Sequence, residues 1–237
     1  MKVESSVVSH FTASVDRYSE PPSPPEDYAM RAFAPLTGTR AQVLELGCGT
    51  GHRLAGLERD HAGFRLFGLD ITPSMVQKAR QIRPAGISFM VGDCLHVPFE
   101  SSRFDAIIIC NVLHHLVAGN KTESDLLRQR GLEELVRLLA LGGRIVLEEY
   151  CVNAAWRARL IFLVSHLVSR LHLSLPRLHI HTDVVTNFYA LEELEQAFSR
   201  AGLRLVQKEV NRFPGFAVRL ATFGDTTYQV RCVLERN

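Results

Sequence analysis

Residues 41–46 (Ala-Gln-Val-Leu-Glu-Leu) run straight into Gly47-Cys48-Gly49-Thr50-Gly51. A short strand that ends in three alternating glycines, with a helical pattern directly after it, leaves few folds open. Glycine permits the sharp turn and lets a ligand approach backbone that a Cβ would otherwise shield. The helix predicted over residues 51–60 presents free N–H groups and a partial positive field to whatever sits above the turn. The chain therefore reads as an open α/β sheet with a ligand held beyond the carboxyl end of its first strand.

The pattern repeats downstream. Residues 66–69, 87–91, 104–110 and 144–148 are predicted strands. Residues 74–82 and 123–141 are predicted helices, the first with Thr72 as N-cap and Pro73 in its first turn. Ala106-Ile107-Ile108-Ile109 has no polar alternation, as expected of a strand buried on both faces. Strands alternating with helices at this spacing imply a doubly wound, mostly parallel α/β sheet with right-handed crossovers. A helix at 191–201 and strands at 203–210 and 228–234 bring it to seven strands. The expected division is an amino-terminal arm and lid helix (1–40), a ligand-binding core (41–150), a helical cap insertion (151–190), and a terminal helix and strands that complete the sheet (191–237). Pro21-Pro22-Ser23-Pro24-Pro25 reads as a stiff linker before a short helix at 26–36.

Each strand end carries a residue suited to a nucleoside. Asp70 closes Gly68-Leu69-Asp70, where a carboxylate can accept from both ribose hydroxyls. Asp93 closes Val91-Gly92-Asp93-Cys94, where an acid can accept from an adenine amino group. Asn111 opens Asn111-Val112-Leu113-His114-His115 after the fourth strand. Glu45-Leu46-Gly47-Cys48-Gly49-Thr50-Gly51, Asp70, Gly92-Asp93 and Phe104-Asp105-Ala106 leading to Asn111 form an ordered series. It resembles that of the class I S-adenosylmethionine-dependent methyltransferases over about residues 41–150. Leu138 to Gly143 resembles that family's helix end before its fifth strand, with Leu141 where proline is usual. The G-x-G-x-G spacing, with His52 where the dinucleotide fingerprint needs glycine, leaves an NAD enzyme a distant second reading.

The resemblance implies S-adenosyl-L-methionine as cofactor and assigns roles residue by residue. Gly47, Cys48 and Gly49 present backbone to the methionine part and ribose, within the loop that Gly51 closes. Asp70 takes the ribose hydroxyls. Ile71 and Met75 lie against the adenine, and Asp93 and Cys94 meet its edge. Asn111 offers main chain near the amino group, and Glu45 organises the loop or that amino group. His10-Phe11 to Tyr18 resembles the family's closing arm and places Tyr18 over the cofactor, a surface tyrosine being the other reading.

The nucleic-acid amino-methylating branches often carry Asn/Asp-Pro-Pro-Tyr/Phe after the fourth strand, and this chain has Asn111-Val112-Leu113-His114 instead. The sequence there is closer to the small-molecule, quinone-pathway branch. The expected reaction is methyl transfer to an oxygen, carbon or nitrogen of a small lipophilic molecule. Positioning does most of that work, and a base tuned near working pH helps where the acceptor must lose a proton. His114 and His115 are the leading candidates, with Glu148, Glu149 and Tyr150 next; at least one of the two histidines is read as a packed core residue. Other readings are a non-catalytic cofactor-binding regulator and a protein or peptide methyltransferase.

From Tyr150 to Thr182 there is no acidic residue, while Arg157, Arg159, Arg170 and Arg177 are basic among many large apolar side chains. Three readings stand: a cap over a lipophilic substrate, with Tyr150, Trp156 and Phe162 touching it; a basic amphipathic helix in peripheral contact with anionic lipid; and a homodimer surface or packed core helix. His179 and His181 in this stretch are read as surface residues. The formal net charge of +2 gives no footprint for nucleic acid. The five cysteines have no zinc-ligand spacing, so no metal is expected, and with no apolar leader at the amino terminus the expected location is the cytoplasm.

Overall fold

The computed structural model describes residues 2–18, 28, 32–36, 38–61, 63–83, 85–171, 185–212 and 227–237. Their strands are β1 (Gln42–Leu46), β2 (Arg65–Asp70), β3 (Ser88–Val91), β4 (Phe104–Cys110), β5 (Leu139–Val152), β6 (Tyr189–Ala190), β7 (Leu203–Arg212) and β8 (Thr227–Arg236). Seven lie side by side in the order β3-β2-β1-β4-β5-β8-β7, and the two-residue β6 pairs with the end of β5. All pairings from β3 across to β5, and that of β6, are parallel; β8 runs antiparallel between β5 and β7. The sheet is thus the mostly parallel one expected, plus the short β6, which two residues are too few to announce.

The helices are α1 (Lys2–Ala13), α2 (His52–Asp60), α3 (Pro73–Ile82), α4 (Lys121–Leu138), α5 (Ala155–Arg170) and α6 (Leu191–Ala201). Successive side chains of a strand point to opposite faces, so β4 supplies both hydrophobic layers. Ile107 and Ile109 pack with Leu132 and Leu135 of α4 and Phe198 of α6. Ala106 and Ile108 pack with Leu54 and Leu57 of α2 and Val76 of α3. The unbroken apolar run of this strand reflects burial on both sides.

The chain leaves β1 toward β2 and β3 on one side and later returns to β4 and β5 on the other. Loops after β1 and β4 therefore diverge and open a crevice at the carboxyl edge. Two local details depart from expectation. The fourth helix ends at Leu138, not at residue 141, because Leu139 already pairs with Phe104, while Arg103 N donates to the Leu138 carbonyl at 3.0 Å. Gly142, at φ 75°, then turns the chain inside β5. Thr72 does precede α3, but its side chain makes no cap hydrogen bond. The linker at 21–25, residues 26, 27 and 29–31 of the helix expected at 26–36, and residues 172–182 of the insertion, with His179 and His181, lie outside the described residues.

Truncating either face of β4 leaves a cavity that rigid neighbours cannot fill. Ile107→Ala and Ile108→Ala should each lower unfolding free energy by about 2–5 kcal/mol. Urea denaturation followed by circular dichroism checks this. A variant with the parent midpoint would show that its side chain does not serve a packed layer.

Candidate active site

The glycine turn is held by hydrogen bonds from the neighbouring strand. Gly47 N and Cys48 N both donate to the Leu69 carbonyl, at 2.8 and 3.1 Å. Gly47 has φ 70°, and a Cβ there would stand 2.3 Å from a methyl of Val112. Gly49, at φ 53°, has open space where a Cβ would be, and it lines the crevice. The first glycine lets two loops meet, and the second leaves backbone bare toward a ligand.

Asp70 clasps this turn. Oδ2 accepts Gly49 N and Oδ1 accepts Thr72 N, each at 2.8 Å. Burial raises its carboxyl pKa above the usual range, and the N–H donors of Thr72 and Gly49 oppose the rise. Each carboxylate oxygen keeps a second lone pair, enough for one hydroxyl apiece.

The crevice opens into a cavity of about 730 Å³. Cys48, Gly49, Asp70, Ile71, Met75 and Asp93 line one part of it, with Cys94, whose thiol burial pushes up to about 12. Asp93 Oδ1 accepts Leu95 N at 2.8 Å, and Oδ2 lies 3.2 Å from His96 Nδ1. Gly51 is the αL residue before α2, closes the turn with Gly51 N donating to Cys48 O at 2.9 Å, and does not itself line the cavity. His52 starts α2, as expected, and faces the cavity; burial and Arg53 push it down to about 4.

Glu45 and Asn111 mark the middle of the cavity. Glu45 Oε1 pairs with Arg53 Nη1 at 2.5 Å, and burial raises the carboxyl pKa against that partner. Asn111 sits at φ 56°, held by its N–H to the Glu148 carbonyl at 2.8 Å and by Nδ2 to Glu148 Oε1 at 3.3 Å. Glu45 Oε2 and Asn111 Oδ1 are buried acceptors with no partner among the described residues. Buried acceptors are rarely left so. Two of them lining one cavity fit a cationic amino group of a bound molecule. Arg53 was not anticipated; its place in the first turn of α2, directly after the glycine turn that follows the β1 carboxylate, was the available signal.

The far part of the cavity holds the histidines. His114, 6% exposed, has Nδ1 hydrogen-bonded to Glu149 Oε1, while Glu149 Oε2 faces His114 N at 3.3 Å. Glu149 is 1% exposed, and its Oε1 also accepts Tyr150 N at 3.0 Å. With Nδ1 engaged, Nε2 is the nitrogen His114 has left for the cavity it lines. The His115 ring lies 4.0 Å from that of His114, with Phe11 edge-on at 5.3 Å. Its Nδ1 is buried without a partner among the described residues, and burial lowers its pKa well below the ordinary histidine value. Leu116, Val117, Leu127 and Tyr150 complete this apolar end.

The cover comes from the amino-terminal arm. Val7 and Phe11 of α1 and Tyr18 after it line the cavity. The Phe11 ring meets Tyr18 at 5.7 Å, and Thr50 Oγ1 donates to the Tyr18 carbonyl. Val7 and Phe11 were missed, although the His10-to-Tyr18 pattern marked this arm. Trp156 and Phe162, expected to touch substrate, do not line the cavity. Phe162 is buried against Val117 and Val185, and Trp156 faces outward, because α5 lies outside the cavity wall. Among the described residues no group of histidine, cysteine and carboxylate side chains could hold a metal ion.

The model of the methyltransferase domain matches residues 44–147. Demethylmenaquinone methyltransferase of Clavibacter sepedonicus is 35% identical over 123 residues, 51% of this chain and 44% of the relative. The probable tRNA methyltransferase 9B of Mus musculus is 34% identical over 105 residues, 44% of this chain and 21% of the relative. The chain thus matches less than half the length of either. Geranyl diphosphate C-methyltransferase from Streptomyces coelicolor A3(2), solved with Mg2+, geranyl diphosphate and S-adenosyl-L-homocysteine, superposes with a TM-score of 0.63 at 16% identity. That superposition covers 90% of this chain and 78% of that one. Residues 44–147 are therefore a methyltransferase domain of the class I type, whose cofactor is S-adenosyl-L-methionine. A relative named for tRNA means that the near-neutral charge does not exclude a nucleic-acid acceptor.

Two predictions follow from this geometry. Asp70→Ala should weaken S-adenosyl-L-homocysteine binding at least about tenfold, by removing charge-assisted acceptors for the ribose; calorimetry giving the parent affinity would overturn the ribose role. His52 and His115 are held neutral in the fold, with pKa values below the unfolded one. The unfolded chain thus takes up protons first. Stability should be full above about pH 6.5 and fall as the pH drops below it, toward 4 for His52. The pH dependence of unfolding should flatten between 6.5 and 4 in His52→Gln, and an unchanged slope would contradict the burial of this ring.

Proposed function

We propose that the chain transfers a methyl group from S-adenosyl-L-methionine to an oxygen, carbon or nitrogen of a small lipophilic molecule. The observation that carries this reading is one cavity lined both by the Asp70-clasped glycine turn and by His114, whose ring is held from behind by the buried Glu149. A volume of about 730 Å³ lies in the range of small-molecule pockets. Its far end, walled by Leu116, Val117 and Leu127, favours an apolar acceptor. The demethylmenaquinone and geranyl diphosphate enzymes act, by name, on small molecules with lipophilic character, which agrees with this reading.

The cofactor supplies an electrophilic methyl on a positively charged sulfur. The residues of this chain provide position and a route for a proton. Glu45 Oε2 and Asn111 Oδ1 would accept from the amino group, and Asp70 would accept from the ribose hydroxyls. Val7, Phe11 and Tyr18 exclude water from above. His114 Nε2, on the cavity side, would take the proton that the acceptor loses. The Glu149 carboxylate, accepting the Nδ1 hydrogen, fixes that tautomer and stabilises the resulting imidazolium. His115, held neutral by burial, packs beside the acceptor.

His114→Gln should lower turnover by about 10²–10⁴-fold while leaving S-adenosyl-L-homocysteine affinity nearly intact. The assay uses a demethylated isoprenoid quinone and a panel of small hydroxy-aromatics, read by radiolabelled methyl incorporation. Full turnover in the variant would remove His114 as the base. Transfer to tRNA, with none to the small molecules, would overturn the acceptor class.

A further inference from the structure

The five exposed residues of α5 are Trp156, Arg159, Leu163, Leu167 and Arg170. At about 100° per residue they fall within an arc of roughly 80°, so they form one stripe. Trp156, Leu163 and Leu167 are 57%, 63% and 56% exposed. The contrast with α6 is informative, because its exposed residues are Glu192, Glu195, Gln196, Ser199 and Arg200, an ordinary solvated face. The stripe on α5 therefore combines large apolar side chains with cations and no acid, within a stretch that lacks aspartate and glutamate from Tyr150 to Thr182.

We infer that this outer face of α5 docks on the surface of an anionic lipid bilayer. Charge complementarity selects the occupant. Arg159 and Arg170 meet acidic headgroups, while Trp156, Leu163 and Leu167 enter the boundary with the acyl chains. A tryptophan suits that boundary because its ring is apolar and its N–H stays near water. The 16-residue helix spans about 24 Å, short of the roughly 30 Å hydrocarbon core, so it lies in the interface plane. No helix among the described residues is long and apolar enough to cross a membrane. The opposite face of α5 is anchored by Phe162 on Val117, a residue of the cavity wall. Docking would thus set the cavity one helix thickness from the lipid. The inference stands apart from the acceptor's identity, since none of the five residues lines the cavity.

Trp156 is the sole tryptophan and reports directly. Titrating the full chain with phosphatidylcholine–phosphatidylglycerol vesicles should shift its emission to the blue, and phosphatidylcholine vesicles or inorganic phosphate should not. Co-sedimentation gives the partition constant. Leu163→Asp with Leu167→Asp should weaken it at least about tenfold. Arg159→Gln and Arg170→Gln should each weaken it about fivefold, with added salt doing the same. Unchanged S-adenosyl-L-homocysteine affinity confirms that each variant is folded; should the leucine pair misfold, the arginine variants decide. No binding to anionic vesicles, equal binding to neutral ones, or parent-like binding of the variants overturns the proposal. So does gel filtration showing a dimer that the leucine pair dissolves while vesicles have no effect, which would make the stripe a contact between copies.

Discussion

The carboxylate of Asp70 accepts one backbone N–H from the turn after β1 and another from the turn after β2. This clasp, with the two N–H groups of Gly47 and Cys48 on the Leu69 carbonyl, sets the shape of the cavity floor. A buried carboxylate is costly unless its lone pairs are used. Here half are used by backbone, and the rest face the cavity. The same group that orders the loop is thereby left with acceptor sites at the place where a ribose would lie. Gly47 completes the arrangement, since any side chain there would collide with Val112 and part the β1 and β4 loops.

Two adjacent acids on β5 divide the remaining work by strand geometry. Successive residues face opposite sides of a sheet. Glu148 therefore meets Arg231 at 2.7 Å and Gln229 at 2.9 Å from β8, and Asn111 from the loop after β4. Glu149 turns the other way and meets His114. The antiparallel β8 is thus tied electrostatically to the loop that carries Asn111, and the histidine is oriented from beneath. Both carboxylates are nearly fully buried, and each is satisfied by several donors, the condition under which a buried charge can be kept.

The helix after β5 shows how an apolar segment can be misread. Its composition suggested a cap whose large side chains line the substrate pocket. In the structure only one face of α5 turns inward, with Phe162 packed behind the wall, and Phe11 of α1 provides the cover instead. The apolar excess of α5 is left on its outer face. A segment that is apolar on both faces satisfies the composition argument for a lid and for a surface equally well.

The strands and helices around the glycine turn were legible because their signals are local. Alternation, glycine spacing and acids at strand ends act over a few residues, and β4 and α6 were read with their observed bounds. Gly47 and Gly49 were read as a ligand-facing turn from the same short-range chemistry, whereas the clasp of that turn by Asp70, 21 residues from Gly49, was not. The choice of His114 over His115 as the ring held by a carboxylate was not readable, because Glu149 lies 35 residues away and meets it only through β4–β5 pairing. The Glu45–Arg53 pair, the cover by Val7 and Phe11, and the outward turn of Trp156 depend likewise on which surfaces meet across the sheet. Sequence alone determined the α/β core and the cofactor turn, where each residue's own backbone preference decides. The tertiary structure alone decided which side chains share the cavity, because burial and pairing between distant segments are set only when the layers close.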